Sequence, residues 1–211
     1  MISDNIFETL FLFLLVTTEL IRLPYYVQSI YQHRKHQIIR SEADLWDRLF
    51  FLFVVIGTWG AAMFKIKTSW FSFADFNTLS IVNVLGIFIY LAGLILLVHS
   101  HRQLKRNWSP TIEINQQQEL VTSGIYRWIR HPIYAAVWLM VIAQVLLINN
   151  LILGLTGVLS FSLLYNHRVT REEQMMAAHF GKEFAIYCET TGRLLPDLLS
   201  NQAQQARNEP E

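Results

Sequence analysis

Charged residues are absent from Leu49 to Phe64, from Leu79 to Val98 and from Ile133 to Tyr165, and the intervals between these runs hold most of the ions. A hydrocarbon core about 30 Å thick takes ~20 apolar residues of helix, so Leu79 to Val98 predicts one membrane span. The run from Ile133 to Tyr165 is too long for one upright helix and carries Asn149-Asn150 at its middle. It predicts a helical hairpin turning at those asparagines, with arms of about 15 or 16 residues, roughly 24 Å each. Such arms are short for a full crossing, so the bilayer thins there or flanking residues snorkel. A first span is predicted from Ile6 to Tyr25, weakened by Glu19, Arg22 and Pro24. Glu19 and Arg22 lie three apart on one helical face and can pair, or the span simply ends near Glu19. The second span is Leu49 to Phe64, extended backward through Leu45 and Trp46.

The pattern as a whole predicts an all-α integral membrane protein. It has about five transmembrane helices including the hairpin, a cytoplasmic connecting loop and a C-terminal amphipathic helix. Residues 1–100 form a three-span membrane region, 101–199 a core of loop, hairpin and C-terminal helix, and 200–211 a flexible tail. Met175, Met176, Phe180, Phe184 and Tyr187 recur at spacings of three and four, predicting the amphipathic helix, interrupted near Gly181.

Composition sharpens this. The 211 residues are 53% hydrophobic and 16% charged, with a mean hydropathy of +0.30, which points to a membrane home. A net charge of +1 offers no basic excess for a phosphate backbone, so nucleic acid is not an expected partner. A single cysteine, Cys188, forms no intramolecular disulfide, and the ending NEPE carries no prenylation box. No Lys or Arg precedes the first apolar run, which argues against a cleaved signal peptide. With five spans, 14 Lys and Arg fall on one face and 2 on the other. The positive-inside rule then sets the N-terminus outside and the C-terminus in the cytoplasm. Oligomeric state has no signal in the sequence.

Seven histidines suggest a diiron centre, but the clustered HxxxH and HxxHH patterns that it needs are missing. His33 with His36 and His99 with His101 are isolated pairs, and no metal is expected. GxGxxG, the P-loop and the GxSxG elbow are also missing. One constellation remains: His131-Pro132 opening the fourth span, Tyr126 and Arg130 just before it, and Arg168 with Glu172 just after the fifth. The hairpin returns the chain to its starting face, so residues about forty apart in sequence come together. Pro132 suits a first helical turn, so an alternative is that it only starts the helix and His131 only caps it. Arg168 and Glu172 share a helical face while Arg171 and Glu173 point elsewhere, so Arg168 either pairs with Glu172 or serves a site.

The motifs LVTSGIYRWIRHPIY, from Leu120 to Tyr134, and REEQMMAAHFGKEFAIYCETTGRLLP, from Arg171 to Pro196, carry a resemblance, joined by NWSPTIEI before them. Over nearly the whole C-terminal half the chain resembles the isoprenylcysteine carboxyl methyltransferase family. That family belongs to a wider group of integral-membrane methyltransferases that includes the phospholipid N-methyltransferases. The resemblance implies S-adenosylmethionine as methyl donor and S-adenosylhomocysteine as product, in a cytoplasmic pocket of loop, hairpin and C-terminal helix. Donor contacts carry over to Gln118, Glu119, Leu120, Val121, Tyr126, His131, Pro132, Ile133, Tyr134 and Glu172. Arg168 falls at the position of the substrate-contacting arginine, and Glu113 at that of an upstream polar group.

Chemistry gives these roles sense. Glu172 suits the donor's ammonium, and the ring of Tyr126 or Tyr134 suits its sulfonium. Tyr134 can equally be an interfacial belt residue, and Arg130 a headgroup contact or a site residue. A carboxylate nucleophile arrives ionised and needs only a partner that fixes its geometry, which an arginine fork offers. An amine must first lose a proton, so Glu172 or Glu173 would have to act as base. The expected function is therefore carboxyl O-methylation of an isoprenylcysteine or another lipid-linked carboxylate, with Arg168 and Glu172 as catalytic residues. N-methylation of a phosphatidylethanolamine-type lipid and a non-catalytic membrane scaffold are the alternatives. The expected partners are a lipid or prenylated acceptor and membrane lipids. The acceptor's tail is expected against Trp138, Leu139 and the third span.

Overall fold

The computed structural model of the chain describes residues 6–34, 38–77 and 79–197. His36 and the tail from 200 onward lie outside the described residues. Helix α1, Ile6–Arg34, runs without a break past Glu19 and through Pro24. Arg22 Nη1 donates to Glu19 Oε1 at 3.3 Å, so the pair expected on this helical face forms. Helix α2, Leu45–Val55, starts at Asp44, whose carboxylate accepts from the Asp47 amide at 2.8 Å as an N-cap. It continues through a π turn, Ile56–Gly60, into α3, Ala61–Lys67, giving one rod over the expected second span. Helix α4 runs Ser80–Leu104, α5 Pro132–Ile148, α6 Leu151–Phe180 and α7 Lys182–Thr190.

The π turn has a packing purpose. It leaves the Gly57 carbonyl open to α5 and α6, where it accepts from Gln144 Nε2 at 2.8 Å and Thr156 Oγ1 at 2.7 Å. Gly93 of α4 lets α5 approach closely, since a Cβ there would stand 2.8 Å from the Ala136 carbonyl. Phe11 of α1, Tyr90 of α4, and Ala136, Met140 and Leu147 of α5 share one core. The Thr18 and Tyr90 hydroxyls, 2.9 Å apart, link α1 to α4 inside it.

The hairpin turns where the sequence predicts. Asn149 adopts a left-handed conformation, φ 52°, that asparagine tolerates, and Asn150 caps α6 through the Leu153 amide at 2.9 Å. Two features differ from expectation. The second arm and the first part of the amphipathic helix are one unbroken α6 of 30 residues, about 45 Å long, ending at Gly181 with φ 55°. The chain is also not purely helical. Strand β1, Ile38–Ser41, pairs antiparallel with β2, Glu113–Asn115. The alternation in TIEI buries Ile112 and Ile114 against Met175, and β-branched residues favour that extended form.

Two stretches, Leu45–Lys67 and Ser80–Asn107, are long and apolar enough to cross a membrane, and Pro132–Ile148 is a shorter apolar helix. Phe13, Leu20 and Val27 on α1 and Ile81, Phe88 and Ile95 on α4 are exposed. Apolar faces of this extent call for a nonaqueous neighbour.

Candidate active site

At the end of the hairpin remote from Asn149, a cavity of about 1360 Å³, its open mouth included, gathers the residues singled out in the sequence. Gln118, Glu119, Leu120 and Val121 line it from the connecting loop, and Tyr126 from the turn Gly124–Arg127. His131, Pro132, Ile133 and Tyr134 line it from the first turn of α5, and Arg168 and Glu172 from α6. Arg130 and Glu113 line it too. Met175 and Met176 of α6 and Phe184 and Tyr187 of α7 complete the wall.

Local chemistry explains the loop. Gly124 has φ 60° and lies against Gln103, whose side chain occupies the place a Cβ would take. Gln103 Oε1 accepts from the Ile125 amide at 2.8 Å, which fixes the turn that carries Tyr126. Asn115 Nδ2 donates to Gln118 Oε1 at 2.8 Å, and Asn107 Oδ1 accepts from the Glu119 amide at 3.1 Å. Glu119 stands at the rim, paired with Arg106 at 2.6 Å. Glu113 accepts a short hydrogen bond from Ser109. Tyr187 Oη donates to the Tyr126 carbonyl at 2.6 Å, clamping α7 over the turn. Burial pushes the Tyr126 phenol pKa up, and the nearby Glu172 carboxylate pushes it further, so the group stays protonated.

The two neighbouring carboxylates of α6 have different partners. Tyr134 Oη donates to Glu172 Oε2 at 2.7 Å, joining the two arms of the hairpin inside the cavity. Glu173 does not point away. It meets His131 Nε2 at 3.1 Å and accepts from Arg193 Nε at 3.1 Å, Arg193 Nη2 at 2.5 Å and Arg130 Nε at 3.4 Å. Burial works against its ionisation, but the hydrogen bonds from His131 and Arg193 outweigh it and hold the carboxyl at about 2. The Arg130 and His131 amides donate to the Gly192 and Arg193 carbonyls at 2.8 and 3.0 Å, so the segment after α7 is strapped along the start of α5. His131 thus does more than cap a helix: its side chain makes no capping bond, and its ring stacks on Tyr134 at 5.5 Å.

Arg168 does not pair with Glu172. Its Nε and Nη2 donate to Asp47 Oδ1 and Oδ2 at 2.5 and 2.7 Å, and Asp47 is 1% exposed. One edge of the fork is therefore engaged by α2, which leaves Nη1 for any other partner. The cavity draws its apolar wall from residues other than those expected against an acceptor's tail. Phe51 and Val54 of α2, Val137 of α5, and Phe161 and Leu164 of α6 form the apolar wall, and α4 contributes only its last residue, Leu104. Leu139 instead packs on Gly93, and the Trp138 ring stands edge-on to Phe161 and Tyr165. Neither lines the cavity.

Asp47 and Arg193 have no site role in the sequence pattern, and Glu173 enters there only as a possible base for an amine acceptor. A carboxylate just ahead of an apolar run was the one available signal for Asp47, and the doubled acid in REE the one for Glu173. Among the described residues no cluster of three or more His, Cys, Asp and Glu can hold a metal. His101 is wholly buried, stacked on Tyr25 at 4.4 Å and edge-on to Trp108 at 4.8 Å.

Residues 84–178 match the profile of the isoprenylcysteine carboxyl methyltransferase (ICMT) family. The chain is 31% identical over 84 residues to protein-S-isoprenylcysteine O-methyltransferase of Homo sapiens, covering 40% of this chain and 30% of that protein. It is 30% identical over 137 residues to the Xenopus laevis protein of the same name, covering 63% and 46%. With the Tribolium castaneum protein it shares 32% over 85 residues, covering 40% and 30%. A solved structure of a eukaryotic intramembrane Ras methyltransferase ICMT aligns with a TM-score of 0.49 at 21% identity, covering 73% of this chain and 52% of that one. The chain spans less than half the length of these three curated relatives.

Proposed function

We propose that this chain, whose residues 84–178 match the isoprenylcysteine carboxyl methyltransferase family, is an S-adenosylmethionine-dependent methyltransferase of the membrane. Its acceptor is an isoprenylcysteine or another lipid-linked carboxylate. The observation that carries the reading is the convergence of loop 118–121, Tyr126, His131 to Tyr134, Arg168 and Glu172 on one cavity, joined by the bond between Tyr134 and Glu172.

The donor set suits the donor's chemistry: carboxylates for its ammonium, aromatic faces for its sulfonium, and Leu120, Val121 and Met175 for its adenine. When bound, S-adenosylmethionine supplies the methyl group, its sulfonium becoming a thioether as the acceptor oxygen forms an ester. Tyr134 holds the Glu172 carboxylate in place and covers it from water. Tyr126, kept neutral, presents its ring without adding charge. Pre-oriented partners in a dry site contribute more to such a displacement than an acid does. Arg168, braced by Asp47, offers its remaining donors to the acceptor.

Two observations favour a carboxylate over an amine. Glu173 is committed to His131, Arg130 and Arg193, and Glu172 accepts from Tyr134. Neither is poised to take a proton from an ammonium. Five spans with the N-terminus outside and the site at the cytoplasmic face agree with the distribution of 14 against 2 basic residues. The apolar wall that α2 and α6 contribute then packs against a prenyl or acyl chain entering sideways from the bilayer, each buried methylene contributing about 0.8 kcal/mol.

The test is incubation of the purified protein, in phosphatidylcholine nanodiscs, with radiolabelled donor and either an S-farnesylcysteine or phosphatidylethanolamine. The expected product releases methanol on mild alkali. Label that resists alkali in phosphatidylethanolamine supports the N-methyltransferase, and a calorimetric titration with no heat of donor binding supports a scaffold.

A further inference from the structure

Among the described residues three arginines line the cavity, and they differ in what already neutralises them. Arg168 gives Nε and Nη2 to the buried carboxylate of Asp47. Arg130 gives Nη1 to the carbonyls of Cys188 and Thr191 and Nε to Glu173. Arg22, on α1, makes a single long bond, from Nη1 to Glu19 at 3.3 Å, and the Glu19 side chain is 44% exposed. Its Nε is buried with no hydrogen-bond partner among the described residues. A guanidinium cannot escape that position by losing its proton, so a buried donor left unmade is a standing cost that an incoming anion removes. The group is also oriented in advance, with Cζ 5.0 Å from the centre of the Tyr26 ring.

We propose that Arg22 anchors the carboxylate of the methyl acceptor, which makes α1, outside the matched residues 84–178, part of the acceptor site. The inference rests on the methyltransferase reading above. The acceptor is favoured as the source of the anion because α1 is the lipid-facing side of the cavity: Leu20, Leu23 and Val27, flanking Arg22, are exposed. A lipid-anchored carboxylate reaches Arg22 from the bilayer, whereas a soluble donor comes from the face of the connecting loop. Arg168, already balanced by the buried Asp47, then supplies direction, and Arg22, balanced only by the long, half-exposed contact with Glu19, supplies charge.

The test uses the full chain in phosphatidylcholine nanodiscs with an N-acylated S-farnesylcysteine and its carboxamide as probes. Arg22→Gln is expected to raise KM for the acceptor about tenfold or more, the loss of a charge-assisted bond, with kcat within about twofold. Affinity for S-adenosylhomocysteine, measured by calorimetry, stays unchanged. The variant also loses the wild-type preference for binding the carboxylate over the carboxamide, and Arg22→Lys recovers part of it. Glu19→Gln, which frees Arg22, leaves KM equal or lower.

An unchanged KM in Arg22→Gln overturns the inference while wild-type turnover keeps the methyltransferase reading. An effect confined to S-adenosylhomocysteine affinity overturns it in favour of the donor's carboxylate. An effect seen only with phosphatidylglycerol in the disc overturns it in favour of a lipid headgroup. Wild-type protein that binds the carboxylate through Arg22 without methylating it keeps the inference and ends the methyltransferase reading. Wild-type protein that binds neither probe ends both.

Discussion

The two ends of the hairpin are both polar, and they differ in what their polar groups face. At the turn, Asn83 Nδ2 donates to Asn149 Oδ1 at 2.8 Å and to the Leu146 carbonyl at 2.7 Å. Asn150 Nδ2 donates to the Phe71 carbonyl and to Asp75, both at 2.6 Å, and Asp75 pairs with Lys65 at 2.6 Å. This network closes on itself and holds a bend. At the other end, Glu173 closes a similar network with His131, Arg130 and Arg193, but Glu172, Arg168 and Arg22 turn toward open space. A satisfied network holds shape, and the groups left over beside it are the ones available to a ligand.

This contrast can be broken in order of expected effect. Glu172→Gln, at the open end, should abolish the calorimetric signal of donor binding and lower turnover by at least about a hundredfold, consistent with the loss of ~3 kcal/mol from a charged contact. Retained donor affinity would remove Glu172 from the donor site. Arg168→Ala should lose turnover on carboxylates with donor binding retained, and an unchanged rate would refute its role. Because this change strands Asp47, its fold must be checked through a double variant. Asp47→Ala alone should destabilise the protein by about 3–5 kcal/mol, whereas Asp47→Leu with Arg168→Met should restore thermal stability but not turnover.

Smaller effects belong to the closed networks. Asn150→Ala should lower stability by about 1–2 kcal/mol through the lost cap and leave KM for both substrates unchanged. A shift in either KM would couple the turn to the site. Glu173 has a pH signature. Its folded pKa of about 2 lies below the ordinary carboxylate value of 4.5, so its contribution is complete above pH 4.5 and is lost as pH falls toward 2. Acid melting of the wild type should therefore steepen between those values, while Glu173→Gln should be less stable at neutral pH and flatter in that window.

The same contrast explains what could be read from the sequence. The turn was legible because two asparagines interrupt a long apolar run, and turn chemistry is local. The cavity's loop and first helical turn were legible through the motif from Leu120 to Tyr134. Glu173 was misjudged because helical spacing fixes angles within α6 but not the rotation of α6 against α5. That rotation sets Glu172 against Tyr134 and Glu173 against His131, so both flank the contact. Asp47 and Arg22 were out of reach for another reason: Asp47 meets Arg168 across 121 residues, and no local pattern records such a pairing. The strand pair was missed because three or four residues are too few for periodicity to register.

The unbroken course of α6 has one more consequence. Phe161 and Leu164, which floor the greasy half of the cavity, and Arg168 and Glu172, which serve its polar half, stand on a single rigid rod. When the rod tilts to suit a thicker or thinner bilayer, both halves travel together. The protein carries its own ruler: lipid composition alters how readily a tail slides in, but the spacing between that tail's berth and the ionic groups stays fixed.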